Sequence, residues 1–115
     1  MSEYEPVKLT WTVLLGRWVD FARSAVALPA DADGRRLRES VPDVIMLQAV
    51  WFALQHLEEL DAGQRALGLD RAAVLIEKHT GALQRRWGAN ALPAQIGELV
   101  ADARAALRLA QPEQE

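Results

Sequence analysis

Cysteine is absent from the chain, and that absence removes several kinds of chemistry at once. Disulfide bonds, thiolate nucleophiles, and zinc or iron–sulfur sites built on cysteine are all excluded. The only serines are Ser2, Ser24 and Ser40, and the local sequence arranges no histidine or acid beside them for nucleophilic catalysis. The seven glycines are scattered, so there is no glycine-rich loop of the kind that holds phosphate. We therefore expect a protein that is not an enzyme and that has no cofactor.

Long apolar runs and an excess of positive charge are missing as well. The longest apolar runs are interrupted by Arg17 and Asp20 in one segment and by Asp43 and Gln48 in another, so both are too short to cross a bilayer. The first residues, MSEYEPVK, are acidic where a secretory signal is basic. A formal net charge of −3 gives no general attraction to nucleic acid. These features indicate a soluble cytoplasmic protein without membrane contact, and they argue against nucleic acid as its partner.

What the chain does contain is the balance of an ordinary globular domain. It has 115 residues, of which 50% are hydrophobic and 25% are charged. A chain of this length buries about two-thirds of the surface that its unfolded form exposes, which is enough for an independent core. We expect a single domain over residues 1–115, with frayed ends at residues 1–5 and 111–115.

The segment 40–60 is predicted to be a central helix. Apolar residues recur at steps of three and four and form two neighbouring stripes. The first stripe is Val44, Leu47, Trp51 and Leu54. The second is Met46, Val50, Ala53, Leu57 and Leu60. A helix that is apolar on most of its circumference has to be covered by other elements on several sides. The helix is predicted to start at Ser40, which can cap it. Pro42 would then lie in the first turn, and Asp43 would complete a capping box.

Three further helices are predicted around it. The first starts at Pro6, and its apolar positions form an unbroken seam: Val7, Trp11, Leu14, Trp18, Phe21, Ala25 and Leu28. A loop follows over residues 28–34. Asp61 and Gln64 form a second capping pattern, which opens a short helix over residues 62–67 that Gly68 ends, and Asp70 then caps a helix over residues 71–87. Pro93 opens the last helix, which runs to Ala110. The fold class is therefore all-α, a four-helix bundle with up-down topology, short loops and one short extra helix near 62–67.

The first helix suggests how the protein acts. The first and central helices together carry more apolar face than a small bundle can cover, and such a surplus is typical of a partner surface or a dimer seam. Aromatic residues on the seam make natural interface anchors, and the candidates are Trp11, Trp18 and Phe21. We expect a small helical bundle that acts through protein–protein interaction with a partner or with itself as a homodimer.

A second hypothesis is DNA binding through residues 62–87. A short helix, a glycine turn and a capped second helix give the outline of a helix-turn-helix, in which Asp70 and Arg71 would open the recognition helix. The basic residues available for phosphate or base contacts are Arg65, Arg71, Arg85 and Arg86. The acidic balance of the whole chain opposes this interpretation.

A third hypothesis is a small-molecule or metal site in the bundle. Its candidate residues are Trp51, His56, Glu59 and His79. Imidazole and carboxylate groups on facing helices are suitable metal ligands. No Glu-x-x-His motif of the di-iron type occurs, however, because the order of His56 and Glu59 is reversed. The simpler interpretation is two partly buried histidines with hydrogen-bond partners.

Overall fold

A computed structural model describes residues 8–25 and 34–111, and all regular structure within these ranges is helical. The elements are α1 (Trp11–Ala25), α2 (Gly34–Leu54), a 3-10 turn (Leu57–Glu59), α3 (Ala62–Trp87) and α4 (Ala94–Ala110). They pack as a helical bundle, so the predicted all-α fold class is confirmed. Among the described residues, no helix has the length and apolarity needed to cross a bilayer.

Helix α2 is the centre of the bundle, as its two apolar stripes predicted. It packs against α1, α3 and α4, and Leu47, Val50 and Ala53 on its faces are fully buried. Trp51 and Met46, also predicted to face inward, are only partly buried.

Consecutive helices run antiparallel, which gives the predicted up-down topology. Trp18 contacts His56 just after the end of α2, whereas Phe21, further along α1, contacts Phe52, four residues earlier. Ser40 near the start of α2 accepts a hydrogen bond from Trp87 at the end of α3. The start of α3 and the end of α4 lie together, because Ala62 and Ala110 line the same groove.

The predicted boundaries of the central helix are wrong at both ends. Helix α2 begins at Gly34, six residues before Ser40, and Arg35 supports its first turns through an ion pair of 3.1 Å with Glu39. Ser40 is buried inside the helix and does not cap it: its Oγ donates to the carbonyl of Arg36 at 2.7 Å. The helix ends at Leu54, and the chain reaches Leu60 through a turn and the 3-10 segment.

The start of α1 also differs from the sequence prediction. Residues 8–10 are not helical, and the helix begins at Trp11, where the Thr10 hydroxyl accepts a hydrogen bond from the Val13 amide at 3.2 Å. The predicted start at Pro6, the predicted end at Leu28 and residues 28–33 of the predicted loop lie outside the described residues. So do the expected frayed ends, apart from Gln111. The last residue of the predicted loop, Gly34, is instead the first residue of α2.

Helix α3 is continuous from Ala62 to Trp87, so the predicted short helix over 62–67 and the break at Gly68 are wrong. The start at Asp61 is confirmed, because its Oδ1 accepts from the Gln64 amide at 2.8 Å. Gly68 is buried in the helix and serves close packing: a Cβ atom there would lie 2.6 Å from Cε3 of Trp11. Asp70, predicted to be a cap, is an exposed residue within the helix.

Candidate functional site

Four rings form a continuous aromatic patch where α1 meets the end of α2. We define the aromatic patch as Trp18, Phe21, Phe52 and His56. The Trp18 ring stacks with two other rings, Phe52 at a centroid distance of 4.9 Å and His56 at 4.8 Å. Phe21 contacts both Trp18 and Phe52 edge-on, with centroid distances of 5.5 Å in each case. Both geometries are favourable for aromatic pairs, so the rings hold one another in place.

Helix α1 contributes two of the rings, and the end of α2 with the turn after it contributes the other two. Trp18 and Phe21 are three residues apart on α1, a spacing that places both side chains on one helical face. Phe52 lies in the last turn of α2, and His56 follows in the turn after Leu54, where its amide donates to the carbonyl of Ala53 at 3.0 Å. Leu14 and Ala22 are buried beside them and fix α1 against the core. Phe21 remains 49% exposed, so the patch is open to solvent at its outer edge.

The three predicted interface residues do not all lie on the same surface. Trp18 and Phe21 contact each other in the patch, where Trp18 is partly buried and Phe21 is exposed. Trp11 lies outside the patch: it is only 3% exposed, its indole lies on Gly68, and its amide donates to Gln64 Oε1 at 2.9 Å. Trp11 is therefore a core residue with no surface to offer a partner, because the first turn of α1 is covered by α3.

Two carboxylates, those of Glu58 and Glu59, lie beside His56 at one edge of the aromatic patch. His56 Nδ1 lies 3.0 Å from Glu59 Oε2, and His56, Glu58 and Glu59 place one ligand atom each within 4.8 Å of one another. A cleft of about 180 Å³ is lined by His56 and Glu59 together with Leu14, Arg17 and Trp18. Sequence reasoning missed Phe52 and Glu58. The four-residue spacing of Phe52 and His56 was the available signal for the first, and the acidic pair after His56 for the second.

The predicted pocket residues do not converge on one site. His56 and Glu59 are in contact, but His79 hydrogen-bonds with Asp43 Oδ1 at 2.7 Å, and Asp43 lies roughly 16 Å along α2 from its end at Leu54. Trp51 contacts Phe52 but lines a separate groove of about 430 Å³ between α2 and α4. A pocket built from all four residues is therefore not formed.

The contact of His79 belongs to a half-buried polar cluster between α2 and α3. Arg86 Nη1 donates to Asp43 Oδ2 at 3.2 Å and approaches Ser40 Oγ at 3.4 Å, while Trp87 Nε1 donates to Ser40 Oγ at 2.9 Å. A catalytic triad needs the serine to donate to the histidine, whereas Ser40 donates to the carbonyl of Arg36. The cluster joins two helices and has no nucleophile–base pair.

The four arginines of the DNA-binding hypothesis do not form one basic surface. Arg65 and Arg86 are roughly 30 Å apart on the continuous α3. Arg86 is engaged with Asp43, and Arg65 lines an apolar groove of about 390 Å³ beside Ala110. Because residues 62–87 contain no turn, the hypothesis loses the helix-turn-helix geometry on which it was based.

Comparison of the chain with models of protein families, with curated proteins and with solved structures finds no match.

Proposed function

We propose that this protein is a soluble cytoplasmic, non-enzymatic helical domain that acts through protein–protein contact as a homodimer, with the aromatic patch as its interface. The observation that carries the proposal is Phe21, which is 49% exposed although it lies against two other aromatic rings. Large aromatic side chains are the usual anchors at the centres of interfaces. Since stacking already fixes these rings, little side-chain entropy remains to be lost when a partner covers them.

A second copy of the chain fits the charges beside the patch. Arg17 and Asp20 are exposed on α1, three residues apart and of opposite sign. A two-fold axis perpendicular to α1, midway between residues 17 and 20, places Arg17 opposite Asp20 of the other copy in both directions. The same axis brings the two copies of Phe21 about 7.5 Å apart along the helix direction and onto the same side of the helix pair. In this arrangement each copy pairs opposite charges with the other copy and places its Phe21 beside the other Phe21.

Sedimentation velocity over a range of protein concentrations tests the proposal. We expect a reversible monomer–dimer equilibrium, and Phe21→Glu should raise the dimer Kd by about tenfold or more, because it places a charge against an aromatic ring. Val74→Glu is the matched control, since Val74 is 66% exposed on α3, away from the patch. This variant should dimerise like the wild type.

Charge reversal tests the two-fold arrangement itself. Arg17→Glu and Asp20→Arg should each weaken the dimer, because each brings like charges together across the axis. The double variant Arg17→Glu/Asp20→Arg should restore association, since it exchanges the two charges. A wild type that stays monomeric at the highest concentration, or equal behaviour of Phe21→Glu and Val74→Glu, would refute the homodimer.

A further inference from the structure

We infer that His56, Glu58 and Glu59 form a binding site for a zinc ion at the edge of the aromatic patch. One ring nitrogen and two carboxylate oxygens lie within 4.8 Å of one another in this group. A mixed set of imidazole and carboxylate ligands suits Zn²⁺, which binds both donor types at about 2.0–2.2 Å. The site lies within one chain, so the inference does not depend on the proposed dimer.

The backbone of the 3-10 turn brings the three residues together. In a 3-10 turn, residues three apart lie one above the other, which aligns His56 with Glu59. The Glu59 amide donates to the carbonyl of His56 at 3.1 Å, and the Leu60 amide donates to that of Leu57 at 3.0 Å. Leu57 and Leu60 are both buried and anchor the turn in the core. The polar side chains are therefore carried by a fixed backbone.

Trp18 orients the imidazole of this group. The His56 ring lies on the indole at a centroid distance of 4.8 Å and an interplanar angle of 26°, so its plane is set by a neighbouring helix. Packing that fixes a ligand's orientation lowers the entropy that metal binding must remove. The imidazole is thus held in a fixed orientation beside the carboxylate of Glu59.

The distances and charges suit a divalent ion. Two donors bound tetrahedrally to one zinc ion lie about 3.4 Å apart, so the most distant donors of a group within 4.8 Å have to close by up to about 1.4 Å. Glu58 and Glu59 are exposed and can make that movement without repacking the core. Their two negative charges balance the charge of the ion, and water completes the tetrahedral set. The ion would replace the present contact between His56 and Glu59.

The role of Glu58 separates a metal site from a simple hydrogen-bonded pair. His56 and Glu59 contact each other at 3.0 Å, and this pair does not need Glu58. Zinc binding, in contrast, requires all three donors. Glu58→Gln should therefore weaken zinc binding by about tenfold or more, an effect that a purely structural His56–Glu59 pair does not produce.

The test is a titration of the full chain with Zn²⁺, followed by calorimetry and by NMR of the histidine rings. The chain has only two histidines, so each ring signal can be assigned with His56→Gln and His79→Gln. We expect saturation at one ion per chain, with shifted His56 signals and unchanged His79 signals. His56→Gln should abolish binding, and Glu59→Gln should weaken it as Glu58→Gln does.

Two controls make the outcome decisive. Glu77→Gln changes an exposed carboxylate on α3 that pairs with Arg104, and it should leave the zinc affinity unchanged. Phe21→Glu should retain the site even where it dissociates the dimer, so failure of one proposal is distinguishable from failure of the other. Binding that does not saturate, equal shifts of both histidines, or full affinity in Glu58→Gln would overturn the zinc site.

Discussion

Gly68 of α3 lies directly beneath the indole of Trp11, so close that a Cβ atom at position 68 would approach Cε3 of the ring to 2.6 Å. Both residues are buried, and the Trp11 amide is tied to α3 through Gln64. The absence of a side chain at position 68 is therefore what allows the first turn of α1 to dock on α3.

Gly68→Ala should destabilise the fold. The added methyl group forces the Trp11 ring or the helix backbone to move, at a cost of about 1–3 kcal/mol, of which up to about 1 kcal/mol is offset by the higher helix propensity of alanine. We expect a net loss of about 1 kcal/mol in the free energy of unfolding, measured by urea denaturation.

Gly97→Ala is the matched control for this substitution. Gly97 also lies within a helix, α4, and a Cβ atom there meets nothing within 4 Å in the described part of the chain. This variant should gain about 0.5–1 kcal/mol. A stabilised Gly68→Ala would show that Trp11 does not pack on α3 in the folded protein.

Ser40→Ala should weaken the contact between α2 and α3. It removes the acceptor for Trp87 Nε1, which lies 2.9 Å from Ser40 Oγ in a buried position. A buried donor left without a partner costs about 1–3 kcal/mol, which should appear as a lower urea midpoint. Ser24→Ala is the control: Ser24 is exposed on α1 and donates only to carbonyls of its own helix, so it should change stability by less than about 0.5 kcal/mol. Equal effects of the two variants would contradict the role of Ser40.

Asp43→Ala should destabilise the same contact through its charge. Asp43 accepts from His79 and Arg86, and its side chain is only 13% exposed. Its removal leaves Arg86 and His79 partly buried without this carboxylate. We expect the free energy of unfolding to fall by about 2 kcal/mol, which is less than the cost of breaking a fully buried ion pair. Glu77→Ala removes an exposed partner of Arg104 and should cost no more than about 1 kcal/mol. Thermal unfolding of both variants at neutral pH provides the comparison, and a harmless Asp43→Ala would contradict the cluster.

The sequence predicts those features of this fold that depend on local patterns. The two apolar stripes are enough to identify α2 as the central helix, and the Asp61 cap and Pro93 correctly mark the starts of α3 and α4. The errors at Ser40 and Gly68 have a common cause. Each resembles a helix boundary locally, but its actual partner is an indole on another helix, Trp87 for Ser40 and Trp11 for Gly68. Such contacts between distant residues are invisible to reasoning about local capping.

The aromatic patch shows the same limit. Its α1 residues, Trp18 and Phe21, were predictable because they share one helical seam. Phe52 and His56 are brought to them by the packing of α1 on α2, and that pairing cannot be read from periodicity. Trp11 is on the same seam as Trp18, yet it is covered because α3 crosses only the first turn of α1. Periodicity identifies an apolar face but does not reveal which part of it remains exposed.

Lowering the pH should destabilise the first turn of α3, because it protonates the carboxylate of Asp61. The hydrogen bond from Lys8, at 2.6 Å, and the bond from the Gln64 amide lower the pKa of the Asp61 carboxyl below its ordinary value of 3.8. Because the folded pKa is lowered, the charged carboxylate stabilises the fold above the ordinary pKa, and this contribution is lost as the pH falls through the folded value.

Asp61→Asn removes the negative charge but keeps the helix cap, since asparagine also caps helices well. The melting temperatures of wild type and Asp61→Asn should differ near neutral pH and converge as the pH approaches the folded pKa. A difference that stays constant over the whole pH range would contradict the Lys8–Asp61 pairing.

Thr80→Val should stabilise the protein. Thr80 is 1% exposed in the middle of α3, and its Oγ1 has no hydrogen-bond partner among the described residues. Valine has the same shape and the same β-branching, so the change removes an unsatisfied hydroxyl without creating a cavity. We expect a gain of about 1 kcal/mol in urea denaturation. Thr12→Val, at an exposed position of α1, is the matched control and should stay within about 0.5 kcal/mol of wild type. If Thr80→Val instead lost stability, the hydroxyl would have to find a partner in the folded protein, such as a buried water molecule.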